Sequence, residues 1–338
     1  MDRYCQSLII LLLSSFLHTN AQDHPTPRAS AHLFYFKPGK SLLLFDGYES
    51  GTRPLSGKAE IWAWKNKWEK IDSTDQPLRS LSAATYLYNK DQVFIYGGIG
   101  SKGYDDSLRE VYIYDGKKWK TIADNSAATR DHHEVAYDEN NRMIVVYGGQ
   151  NSKREFETQT WVLKDDRWKA LNIPGPGPRV HHAMAYDVAR KVIVLYGGSS
   201  DRSDFDETCE FDGSRWNQVT TTTNPGARTH HSMVYDPVSK RTLLYGGGTG
   251  MKAKGDIWSW DGKKWELLSD NGPQRILAAL AIDPDNKKLY VFGGNGGESF
   301  LFIYSDLWEW DGKQWTLIEK GDTYKFDMQK NMFVITRE

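Results

Sequence analysis

Six arginines recur at near-equal intervals: Arg28, Arg79, Arg130, Arg179, Arg228 and Arg275. About thirty residues after each stands an acid, namely Glu60, Glu110, Glu207, Asp256 and Asp306, with Gln159 in the third unit. Guanidinium and carboxylate repeated in this way can lock to each other. Alternatively, a circle of guanidiniums can grip carboxylates or sugars from a ligand bidentately. Recurrence in all six units favours the lock, because a binding site seldom needs six copies. Three units break the symmetry with paired histidines: His132-His133, His181-His182 and His230-His231. Adjacent strand residues point to opposite faces, so the two members of a pair cannot converge on one spot. The first members could line one side of an opening and take a polar ligand. The candidate binding residues are therefore Arg130, His132, Arg179, His181, Arg228, His230, Glu207 and Asp256.

Metal chemistry fits these residues poorly. Ligands on neighbouring units are expected roughly 10 Å apart, and no carboxylate is fixed beside the histidines by spacing. Asp201, Asp204, Asp206 and Glu207 crowd one stretch of the fourth unit. Their spacing matches no ordered calcium loop, which favours a solvated acidic loop. No nucleophile elbow, phosphate loop or paired zinc motif occurs. Neither a metal nor a cofactor is implied.

The elements that position these residues are set by a repeat. Trp68, Trp119, Trp168, Trp216, Trp265 and Trp315 lie 51, 49, 48, 49 and 50 residues apart. Each closes a unit with four strand signals, here a to d. Strand a ends at a turn aspartate in four units: Asp138, Asp187, Asp236 and Asp283, whose carboxylate can accept from following amides. Strand b is a continuous apolar run, as in VIVLYGG, expected to be buried on both faces. It closes on a glycine doublet that permits close backbone approach; Asp46-Gly47 replaces the doublet in the first unit. Strands c and d flank Asp-Gly hairpin turns at Asp115, Asp212, Asp261 and Asp311. The marker tryptophan is expected between adjacent sheets, where a large ring covers most apolar area.

One such sheet cannot bury both faces, whereas a closed ring of sheets can. The expected fold is all-β: a six-bladed β-propeller of four-stranded antiparallel blades at about 28–71, 79–122, 130–173, 179–219, 228–268 and 275–318. A C-terminal hairpin within 319–338 would help latch it. Loops d–a and b–c emerge on one face, and the long polar segments fall there. Long irregular loops on a rigid frame are where binding usually resides. Tyr104, Phe156, Phe205, Phe300 and Phe302 in the b–c loops could supply an exposed patch or anchor their own loops.

A glycine doublet closing strand b, an aromatic in strand c and a tryptophan opening strand d resemble the kelch repeat. The resemblance spans roughly residues 28 to 318 and recurs six times. It implies the propeller and a packing and hydrogen-bonding role for the second histidine of each pair. It says little about activity, because one scaffold hosts many functions. Among kelch-type enzymes, galactose oxidase uses copper with a Tyr–Cys crosslink; here Cys209 stands where the next blade has Trp258, which argues against that chemistry. Sialic acid epimerases are similar in size and blade number, and Arg130, Arg179, Arg228 and Glu207 could be drafted as an acid/base set. The leading expectation is a binding module for a glycan or protein partner through the loop-rich face. The alternative is a carbohydrate-active enzyme, such as a sugar-acid epimerase or isomerase.

Destination is read from the first 21 residues. Arg3 precedes the apolar run Leu8 to Leu17, too short to span a bilayer, and a polar stretch ends at Ala21. This is the pattern of a cleavable secretory signal, so residues 22–338 form the mature propeller and carry no membrane span. Cys5 lies before the apolar run, leaving Cys209 as the single mature cysteine, and no Asn-x-Ser/Thr sequon occurs. An exported chain without disulfide or sequon points to a secreted or periplasmic protein of a bacterial envelope. Lys and Arg total 43 against 44 Asp and Glu, a formal net charge of −1. No overall field attracts nucleic acid.

Overall fold

The computed structural model describes residues 23–48, 58–77, 79–100, 107–122, 126–250, 252–297, 301–330 and 332–336. The expected signal at 1–21, Tyr104 and Phe300 lie outside them. Six antiparallel sheets follow one another in chain order, five of four strands and the last of six because a C-terminal hairpin adds to its four, and among the described residues no strand is exchanged between blades. The inner strands begin at His32–Phe36, Ala83–Leu87, Asp131–Asp138, Ala183–Asp187, Ser232–Asp236 and Ala279–Asp283. The expected propeller is what forms. The single helical turn among the described residues is a short 3-10 segment, Lys37–Gly39, and no helix there is long and apolar enough to cross a membrane.

Each repeat element has a visible physical role. Strand b is buried almost throughout, as in Met143–Gln150. The marker tryptophans pack on the strand-b aromatic ring of the preceding blade. Trp119 meets Phe45, Trp168 meets Tyr96, Trp216 meets Tyr147 and Trp265 meets Tyr196, with centroids 4.9–6.0 Å apart. Trp68 meets Phe292 of the sixth blade at 5.3 Å, which closes the circle with the same contact. Indole N–H groups of Trp216 and Trp265 donate to Thr160 and Thr208 at 2.9 Å, so the rings are held at both ends. Asp115, Asp212, Asp261 and Asp311 accept from the amides two and three residues on, which fixes the c–d turns.

The C-terminal hairpin, Thr323–Asp327 with Met332–Thr336, pairs with the extended third strand of blade six in register Phe302↔Lys325. It widens the sixth sheet. The seam between the last and first blades is tied by backbone: Arg28 N–H donates to Tyr304 O at 3.0 Å, and Gly294 N–H to Arg28 O at 2.9 Å.

Candidate functional site

The six arginines sit at the entry of the inner strands on the loop-rich face and are all buried. Four pair with the acid that opens strand c: Arg28 with Glu60 at 3.7 Å, Arg179 with Glu207 at 3.1 Å, Arg228 with Asp256 at 2.8 Å and Arg275 with Asp306 at 2.7 Å. In the third blade Arg130 reaches Glu157 at 3.6 Å, two residues before the expected Gln159. Arg79 lies instead over the Tyr112 ring, 4.5 Å from its centroid. Five of the guanidiniums also donate to a carbonyl eighteen residues on: Asp46, Gly97, Gly148, Gly197 and Gly246. The second glycine of the doublet then donates its N–H to the arginine carbonyl of the next blade, as Gly198 does to Arg228 at 3.0 Å. The first position of the doublet also requires glycine: a Cβ on Gly197, at φ +62°, would lie 2.7 Å from Arg228 O. Arg130, Arg179 and Arg228, with Glu207 and Asp256, thus serve as a lock between strands and blades. Their guanidiniums do not present themselves at the mouth.

Two residues beyond each arginine the backbone turns left-handed at Ser30, Leu81, His132, His181, His230 and Leu277, with φ between 53° and 58°. Non-glycine residues adopt this conformation at a cost, and the reason lies around the axis. Leu277 N–H donates to His230 O, His230 to His181 O, His181 to His132 O, His132 to Leu81 O, and Ser30 to Leu277 O, at 2.9–3.3 Å. Leu81 N–H completes the circle on Ser30 Oγ at 3.1 Å. This collar narrows the axial channel at the loop-rich end.

The collar overturns the expected 10 Å separation of the first histidines. The His132 and His181 rings lie edge to face with centroids 4.5 Å apart, and His181 stacks on His230 at 3.9 Å. The spacing argument treated them as strand residues; the left-handed turn brings their backbones into direct hydrogen bonding instead. Burial holds the His181 imidazole well below its usual range and that of His230 at about 3, so both are neutral. The second histidines pack outward on the preceding blade, His133 on Tyr96 at 4.9 Å and His231 on Tyr196 at 5.7 Å. Burial lowers their pKa values too.

Asp131 was missed by sequence reasoning. It is fully buried, accepts from Ser107 Oγ at 2.7 Å, hydrogen-bonds His132 Nδ1 and lies 3.6 Å from exposed Arg154. Facing a carboxylate, His132 Nδ1 is a donor. Its signal was available: other blades have Ala29, Ser80, Val180, Thr229 and Ile276 at this position. Among the described residues no group of three His, Cys, Asp or Glu has metal-holding geometry. The acidic stretch of the fourth blade disperses, with Glu207 on Arg179 and Asp206 accepting from Asn224.

Three b–c loops rise around the histidine arc. In blade three, Gln150 bridges Phe156; in blade four, Ser199 bridges Asp204; in blade five, Gly248–Thr249 pairs with Lys252–Ala253. Phe205 lies under Arg179 and Phe302 against Tyr304 and Lys325, so these two rings anchor their own loops. The exposed residues are polar, including Lys153, Arg154, Asp201 and Arg202. Cys209 is buried in strand c, and burial pushes its thiol up to about 11, far from reactive.

The family model described as the KLHDC2/KLHL20/DRC7 Kelch-repeats domain matches residues 157–330, just over half of the chain. No curated protein matches the chain.

Proposed function

On the premise that this chain belongs to the kelch-repeat propellers, we propose that it is a protein-binding module whose contact surface is the loop-rich face over blades three to five. The observation that carries this reading is the asymmetry of that face. The collar is six-fold in backbone, yet only these three blades place imidazoles on it, and their polar b–c loops, which are internally bonded, stand around that arc. The neutral His181 and His230 imidazoles can both donate and accept, which suits a peptide segment rich in backbone amides. Pre-bonded loops lose little entropy on docking. The basic start and short apolar run before Ala21 support export, so the partner is sought outside the cytoplasm.

A photo-crosslinking residue at Lys153 or Arg202 is expected to capture the partner in cells, and one at Val238, exposed on the opposite face, is not. Capture from Val238 with none from the two loop positions would refute the assignment.

One observation favours a second reading, sugar-acid chemistry at the same opening: the Asp131 carboxylate holding His132 resembles the orienting half of an acid/base pair. Catalysis would be abolished by His132→Gln; a binder would keep its partner with a modest loss of affinity.

A further inference from the structure

The opposite face opens into a cavity that nothing above uses. Along the axis the inner strands diverge from the collar into a chamber of about 450 Å³ on the side of the a–b turns. This volume falls in the range of small-molecule sites. Its wall is built by repetition: Tyr35, Tyr86, Tyr137, Tyr186 and Tyr235 occupy the same position of five successive inner strands. Several phenol groups are tied to neighbouring turns, Tyr35 to Asp285 at 2.6 Å, Tyr86 to Asp91 at 2.9 Å and Tyr137 to Asn89 at 2.8 Å. Tyr86, Tyr137, Tyr186 and Tyr235 are otherwise buried in the core, so each borders the space with the small part of its side chain that the core leaves uncovered.

A narrower chamber of about 160 Å³ continues from it toward the collar. The two share Phe34, Met184, Met233 and Leu280 as lining, so they form one tapered channel. In the narrow part stands Glu134. The other blades carry His32, Ala83, Ala183, Ser232 and Ala279 there. Among the described residues, Glu134 forms no ion pair with a lysine or arginine, and its carboxyl accepts from the Val135 amide. Burial without a cation pushes it up to about 8. At the wide mouth Glu139 and Asp285 face one lysine, Lys37, which leaves the chamber anionic.

We propose that this channel binds a small organic ammonium, its apolar or aromatic body against the tyrosine wall and its charged head on Glu134. A desolvated carboxyl without a counter-ion gains most from an incoming cation, and aromatic rings attract cations further. From Glu134 to Tyr137 is roughly 10 Å along the strand, within reach of a ring carrying a short aminoalkyl chain. The site lies on the face away from the loops, so it stands or falls independently of partner binding there.

The test is calorimetric titration of the full chain with three matched probes: tryptammonium, neutral tryptophol and anionic indole-3-acetate. Tryptammonium is expected to bind at least tenfold more tightly than tryptophol, and indole-3-acetate not at all. Glu134→Gln is expected to bring tryptammonium down to the level of tryptophol. Met184→Trp, which fills the channel while keeping the Glu134 carboxyl in the chain, is expected to abolish binding of both. Equal affinity for the three probes, no tryptammonium binding at millimolar concentration, or binding that survives Met184→Trp would overturn the proposal. Retained amine preference in folded Glu134→Gln would do the same.

Discussion

Replacing Arg228 by methionine separates a lock from a ligand-binding cation. The side chain is fully buried and holds Asp256 through two bonds, Nη1 to Oδ1 at 2.9 Å and Nη2 to Oδ2 at 2.8 Å. It also donates to Gly246 O at 2.8 Å and to Pro225 O. Methionine conserves much of the volume but leaves Asp256 nearly buried with one remaining side-chain donor, Trp258 Nε1. Removing one partner of a buried pair costs about 3–5 kcal/mol, and the stranded carbonyls fall within the same range. Urea unfolding at pH 7 should show that loss. The double variant Arg228→Met with Asp256→Leu should recover at least half of it, since removing both charges also removes their desolvation. The pH dependence has a sign. Burial opposes ionisation of Asp256, but the Arg228 bonds outweigh it and hold the carboxyl below its usual value. Its contribution is therefore present above the unfolded pKa and lost as pH falls through the folded one. In Arg228→Met the carboxyl becomes easier to protonate, so the deficit should shrink on acidification below pH 5. A deficit below about 1 kcal/mol at pH 7, or one that stays constant into acid, refutes the reasoning.

Gly197→Ala should destabilise by about 2–4 kcal/mol, because its Cβ would press on Arg228 O and on the His231 ring; thermal unfolding measures it, and a neutral result would contradict the close approach. Glu134→Gln should stabilise the fold increasingly as pH rises from 4.5 toward 8. The native carboxyl holds its proton to about 8 while the unfolded one releases it near 4.5, so the wild type loses stability across that window and the variant does not. Discounted for the channel water it meets, the gain at pH 9 is about 2 kcal/mol, read from urea midpoints; no pH-dependent gap would contradict it. Trp265→Phe keeps a ring against Tyr196 but loses the bond to Thr208, and should cost about 1–2 kcal/mol.

The architecture was legible because each blade writes its physics in residue types. The tryptophan period marks the gap between sheets, the apolar run marks strand b, and the Asp-Gly pairs mark turns whose carboxylates do cap the following amides. The arginine–acid spacing was legible for the same reason, except in blade two, where Arg79 lies over Tyr112 instead of pairing with Glu110, and in blade three, where Glu157 replaces the expected position. What sequence spacing could not give is the collar. A strand template puts His132, His181 and His230 a blade apart; left-handed φ at a non-glycine residue leaves no mark in residue type, and it places their rings in contact. Asp131 and Glu134 were overlooked because the repeat draws the eye to what recurs, and both are departures at positions that are small or apolar in most other blades. The tyrosines that line the channel recur at one position of five inner strands, but the taper they border is a property of the closed ring and is not written in their spacing.

Hydrogen–deuterium exchange on the purified chain with its captured partner tests the central claim most directly. Protection on binding is predicted in the loops at 151–159, 200–207 and 248–254, with the turns at 188–191 and 237–240 unchanged. Protection confined to those turns, or to the outer strands, would contradict recognition through the loop-rich face.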